Sequence, residues 1–169
     1  MNRALRTALA ATLLAVVSAA VLVALARQAH AAGSADVRFV EPERYRDAGL
    51  LAPDRERTLA TLAAHLKQLA QRLPDGRQLR IDVLDVDLAG DRSPRPGTDV
   101  RVLRGGADVP RLHLKWTLEE GGRTIKSGED RLTDLGYLTQ APHRAAASGD
   151  LPYEKRLLTR WFDERFAAR

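Results

Sequence analysis

The stretch Leu79-Arg-Ile-Asp-Val-Leu-Asp-Val-Asp-Leu-Ala-Gly90 constrains this chain more than any other. It is the longest run of strand-forming residues beyond the N-terminus, and three aspartates are threaded through its apolar side chains. Strict alternation would put Leu79, Ile81 and Val83 on one face and Leu84, Val86 and Leu88 on the other. One extra residue near Val83-Leu84, a β-bulge, returns all six apolar side chains to a single face. It also gathers Arg80, Asp82, Asp85 and Asp87 on the opposite one. The apolar face then needs a cover, and two amphipathic segments are available to supply it.

The first runs from about Pro53 to Leu73. Leu59, Leu62, Ala63, Leu66, Leu69, Ala70 and Leu73 form one helical stripe. Asp54 and Glu56 suit the positive end of the helix dipole, and Pro74-Asp-Gly76 stops the helix. His65 sits at the edge of the stripe and reads as a packing residue. The second segment ends the chain, with Tyr153, Leu157, Leu158, Trp161, Phe162 and Phe166 at helical spacing opposite Lys155, Arg156, Arg160 and Glu164. Its aromatics read as cover for the sheet.

Strands fill the rest. Asp36 to Glu41 alternates and ends at Pro42, which has no N–H for a ladder. Tyr45 and Asp47 follow in a loop closing at Gly49. Strand, helix and strand in this order predict a right-handed crossover between parallel neighbours. After the polar loop Asp91 to Gly97, a short strand is expected at Asp99 to Leu103, broken by Gly105-Gly106. Leu112, Leu114, Trp116 and Leu118 alternate with polar residues, and Glu119-Glu120-Gly121-Gly122 turns the chain into a partner strand, Arg123 to Leu132, weakened at Gly128. Leu135 to Asp150 is irregular. The expected fold is one α+β domain, a four- to five-stranded mixed sheet with two amphipathic helices packed on one face.

The N-terminus has a different character. Arg3 and Arg6 head an uncharged run from Thr7 to Ala26, and Ala29-His30-Ala31 fits a small-x-small cleavage site. This is the order of parts in a cleavable signal peptide, residues 1–31, which leaves 32–169 as the folded domain of a periplasmic protein of a Gram-negative cell. The alternative is an uncleaved membrane anchor, since the run is about long enough to span a bilayer. Cleavage is favoured, with no stable membrane anchor afterwards. The chain has no cysteine, which removes disulfides, thiolate metal sites and cysteine nucleophiles together.

The formal charge of +5 comes largely from that N-terminus. Setting aside Arg3, Arg6 and Arg27 leaves 24 basic residues against 22 acidic ones, a net +2 with the signs interleaved. A nucleic-acid footprint needs basic residues clustered on one face, so no nucleic-acid partner is expected.

Asp82, Asp85 and Asp87 are the candidates for a hard cation such as Ca²⁺. Asp85-Val-Asp-Leu-Ala-Gly90 begins like a calcium loop but has Ala89 at its fifth position and Pro96 at its twelfth. Pairing with Arg101, Arg104 or Arg111 is the favoured role, and no metal or cofactor is expected. No G-x-S-x-G elbow is present. His143, Ser148 and Asp150 share a loop, but closeness in sequence does not make a triad. Gly105-Gly106 lacks the lysine of a phosphate loop, and no catalytic residue is assigned.

Three blocks resemble one family. Val37-Arg-Phe-Val-Glu-Pro-Glu-Arg-Tyr-Arg-Asp47, Asp85-Val-Asp-Leu-Ala-Gly90 and Tyr153-Glu-Lys-Arg-Leu-Leu-Thr-Arg-Trp-Phe162 are similar to signature blocks of the exported bacterial proteins called domain of unknown function 3016. Val109 stands before Pro110, where that pattern leads one to expect tryptophan. The resemblance implies export and carries no activity. The leading functional expectation is therefore a non-enzymatic periplasmic binding or envelope-associated accessory protein, with an envelope protein as partner. The alternative is a metal-dependent or hydrolytic enzyme using the aspartate-rich strand face.

Overall fold

A computed structural model describes residues 32–92, 101–139 and 150–166. The elements in order are β1 (Ser34–Phe39), α1 (Ala52–Ala70), β2 (Arg77–Asp87), β3 (Asp91–Arg92), β4 (Arg101–Val102), β5 (Arg111–Glu120), β6 (Arg123–Thr133) and α2 (Pro152–Phe166). A 3₁₀ turn, Pro42–Arg44, follows β1, but the strand ends at Phe39, before the expected Glu41 and Pro42, and Glu41 is already left-handed at φ +51°. The expected segment 1–31 and its cleavage site lie outside the described residues, as do His143 and Ser148.

Four strands make the main sheet in the order β1-β2-β5-β6. The pair β1–β2 is parallel and joined through α1, whereas β2–β5 and β5–β6 are antiparallel, which makes the sheet mixed. The bulge falls where the side-chain pattern requires it. Leu79, Ile81 and Val83 stand opposite Leu118, Trp116 and Leu114; the register then slips, and Val86 stands opposite Leu112. Leu84 is the inserted residue. The other five apolar side chains are buried, while Leu84 is only half-buried and outside the core. The residue that restores the pattern occupies the kink itself, so six apolar residues on one face becomes five.

The expected short strand at Asp99 to Leu103 is present at Arg101–Val102, with Leu103 beyond its end, while Asp99 and Val100 lie outside the described residues. Arg101–Val102 pairs with Asp91–Arg92 in a separate two-stranded ribbon.

Both helices cover the same face. Leu62, Leu66 and Leu69 of α1 and Leu157, Leu158, Trp161 and Phe162 of α2 join Leu79, Ile81, Val83, Leu114 and Trp116 in one core cluster. His65 ties the helices together: its Nε2 lies 3.0 Å from the Lys155 carbonyl and 2.9 Å from Thr159 Oγ1. Burial lowers the pKa of this imidazole, outweighing the bond to the Lys155 carbonyl.

The far end of the sheet is closed by one carboxylate. Asp130 Oδ2 accepts the indole N–H of Trp116 at 2.7 Å and of Trp161 at 2.9 Å, while Oδ1 accepts from Arg165. Burial opposes ionisation, but the two indoles and the guanidinium outweigh it and hold Asp130 below the usual carboxylate range. Gly128 leaves the room this needs, because a Cβ there would lie 2.8 Å from Trp116 Cζ2. The glycine that weakens β6 as a strand is what admits the indole.

Candidate functional site

The outer face of the sheet carries the aspartates, and each finds its own partner. Asp82 takes a two-point bond from Arg38 at 2.9 and 3.1 Å. Asp85 Oδ1 accepts the backbone N–H groups of Arg46 and Val86, both at 3.0 Å. Asp87 accepts from Arg111 at 3.0 Å. Cross-strand register arranges this face in rows of alternating charge: Arg38, Asp82, Lys115 and Glu129 stand side by side across β1, β2, β5 and β6. Opposite charges at adjacent positions support the sheet and leave little net field. Among the described residues, no three acidic or histidine side chains approach closely enough to hold a metal ion.

Of the arginines expected to serve these aspartates, Arg111 does so. Arg104 pairs instead with Asp91 at 3.0 Å, and Arg101 with Asp47 at 2.8 Å. Arg101 sits on the separate ribbon, which delivers it to the end of β2 and away from the outer face.

That end of β2 is where the structure concentrates its chemistry. Asp47 pairs with Asp87 in a parallel bridge, donating its N–H to Val86 and accepting from the Leu88 N–H. Arg101 then clamps the chain beyond the strand. Its Nε donates to the Ala89 carbonyl at 2.8 Å, and its Nη2 reaches Asp47, the Leu88 carbonyl at 3.0 Å and the Gly90 carbonyl at 2.6 Å. From the other side, Glu154 of α2 accepts the Ala89 N–H at 2.7 Å. This carboxyl is only 2% exposed. Burial raises its pKa, against the opposing pull of the Ala89 N–H and the charge of Arg101.

A second carboxylate–arginine contact fixes α2 from below. Arg156 and Asp134, both buried, pair at 2.7 Å, and Arg156 also donates to the Tyr137 carbonyl. Tyr137 packs edge-on against Tyr153 at 5.1 Å beside Ala89 and Val109. Val109, the residue standing where tryptophan was expected, is thus a core residue of this small cluster.

Beside the Arg101 clamp opens a cleft of about 200 Å³, lined by Gly49, Asp54, Arg57, Thr58, Thr61, Leu88, Arg101, Asp150 and Leu151. Asp54, Arg57, Thr58 and Thr61 follow the i, i+3, i+4, i+7 spacing that puts them on one face of α1. Two of its walls depend on unusual backbone. Gly49 has φ +125°, and a Cβ there would lie 2.6 Å from the Arg55 nitrogen, so only glycine lets the loop come this close to the helix. Leu151 has φ +62°, a left-handed conformation that a bulky residue adopts only when its surroundings impose it.

Asp47, the segment Leu88 to Gly90, and Glu154 come from the three blocks that suggested a family. The model of the family described as Protein of unknown function (DUF3016) matches residues 33–164. The chain belongs to the DUF3016 family. No curated protein and no solved structure matches it. The three DUF3016-like blocks, far apart in sequence, therefore meet at the Arg101 clamp and not on the aspartate face. Sequence reasoning missed Arg57, Thr58, Thr61, Arg101 and Leu151 as site residues. The polar spacing along α1 was the one available signal, since it runs beside the apolar stripe and charge alone does not explain two threonines.

Proposed function

We propose that this DUF3016 member is a non-enzymatic, exported binding protein of the bacterial envelope, acting as an accessory to a larger envelope assembly. The observation that carries this reading is the convergence of the three family blocks beside a cleft lined by charged and polar side chains, with Arg101 held in place by the chain. The aspartate-rich face, which an enzymatic reading would use, has its carboxylates engaged by Arg38, Arg111 and backbone N–H groups. Export rests on the basic head, uncharged run and Ala-x-Ala site of the sequence. It is compatible with the finding that no helix among the described residues is long and apolar enough to cross a membrane.

Two measurements test it. Mass spectrometry of the exported protein should find a chain beginning at Ala32 in the periplasmic fraction; a species retaining Met1 to Ala31 in the membrane fraction would overturn the localisation. For binding, the low-molecular-mass and macromolecular fractions of periplasmic extract are added separately to purified protein. At least one should raise the melting temperature, because a ligand that favours the native state stabilises it by mass action. No shift with either fraction, or release of a product from an extract component with turnover, contradicts a binding role.

A further inference from the structure

We infer that the cleft beside the Arg101 clamp takes a small zwitterion of the amino-acid or dipeptide class, its carboxylate on Arg101 and Arg57 and its ammonium on Asp150 and Asp54. This rests on the binding reading above and adds the chemistry of the ligand. Arg101 carries the argument. Its Nε and Nη2 are committed to three carbonyls and Asp47, which locks the guanidinium plane, while Nη1 makes no hydrogen bond among the described residues. The side chain is 21% exposed and lines the cleft. A locked guanidinium with one nitrogen uncommitted is a preorganised carboxylate donor, needing little ordering when the ligand arrives.

The other lining groups complete the complementarity. Arg57 is held only loosely by Asp54, at 3.7 Å, and can turn toward a bound carboxylate. The hydroxyls of Thr58 and Thr61 make no hydrogen bond among the described residues and supply neutral donors on the same helix face. Two arginines face two aspartates in this lining, so the cleft has no net charge to attract a simple anion or cation. A ligand carrying both charges matches that balance. Leu88 and Leu151 leave an apolar strip for methylene groups, and among the described residues no aromatic ring lines the cleft for stacking on a sugar. About 200 Å³ is below the range of roughly 300–1,000 Å³ usual for drug-sized ligands, which limits the occupant to one or two residues.

Isothermal titration calorimetry on purified protein tests this with glycylglycine, N-acetylglycine, which lacks the ammonium, and glycinamide, which lacks the carboxylate. Glycylglycine should bind, and each analogue should bind about tenfold or more weakly, as loss of one charge-assisted contact implies. Arg101→Gln would free three carbonyls and is expected to disturb folding, so the variants are Arg57→Gln and Asp150→Asn, both at exposed positions. Each should weaken glycylglycine binding while leaving the melting temperature of the free protein unchanged. Equal affinity for N-acetylglycine, or displacement by glucose, overturns the zwitterion. If glycylglycine fails but the low-mass extract still stabilises the protein and Arg57→Gln removes that effect, the ligand class is wrong and the binding reading survives. If glycylglycine and the low-mass extract both fail, a small-ligand cleft falls, and the binding reading falls with it if the macromolecular fraction also has no effect.

Discussion

Replacing Asp130 tests how the sheet and α2 are joined. Trp116 and Trp161 are each 3% exposed, and both indole N–H groups end on Asp130 Oδ2. Asp130→Ala strands two buried donors, at about 1–3 kcal/mol each, and also removes the contact with Arg165. Water can reach part of the gap, because the carboxylate is 11% exposed. The expected loss is therefore about 3–4 kcal/mol, a large part of the roughly 5–15 kcal/mol of a domain this size. Asp130→Asn keeps one acceptor for the indoles but presents an amide to Arg165, and should lose about 1.5–3 kcal/mol. Because the folded-state pKa of Asp130 is lowered, its contribution is fully present above the unfolded value of about 3.9 and is lost as pH falls through the folded value. Urea denaturation followed by tryptophan fluorescence reads the effect directly, since both tryptophans belong to this junction. Asp130→Asn within about 0.5 kcal/mol of the parent at pH 7, the range of an ordinary surface change, would refute the role.

Gly49→Ala should destabilise by more than about 1 kcal/mol, because its positive φ and the Arg55 backbone both exclude a Cβ; an unchanged melting temperature would contradict this. His65, with its pKa lowered by burial, contributes stability that is complete above about 6.5 and declines as pH falls toward its folded value. His65→Gln, which keeps a donor without titrating, should flatten the melting-temperature profile between pH 7 and 5, and an unchanged slope would show that other groups set it. Asp87→Asn weakens the bond to Arg111 and should lower stability by about 1 kcal/mol, with or without Ca²⁺. A native melting point raised by Ca²⁺, with the rise abolished in Asp87→Asn, would instead make the aspartates a metal site.

The sheet and its cover were legible because periodicity reports burial directly. The break between Val83 and Leu84 located the bulge, and the two apolar stripes located the helices on one face. What the pattern could not show was which residue the bulge would displace: Leu84 is as apolar as its neighbours, and only the register reveals that it falls in the kink. The cleft was illegible for a different reason. Arg101 acts through backbone carbonyls at positions 88, 89 and 90, which leave no mark on side-chain chemistry. Its aspartate partner, Asp47, lies 54 residues away. The aspartates of β2 drew attention because they are adjacent in sequence, yet adjacency on a strand sends Asp82, Asp85 and Asp87 to three separate partners.

The most direct test of where this protein binds is a two-dimensional NMR titration of ¹⁵N-labelled protein with the low-molecular-mass periplasmic fraction. A binding cleft beside Arg101 requires the amides of Gly49, Arg57, Thr58, Thr61, Arg101 and Leu151 to shift together and saturably, with the outer sheet face unmoved. Shifts confined to Asp82, Asp85, Lys115 and Glu129, or no saturable shift at any residue, would contradict it.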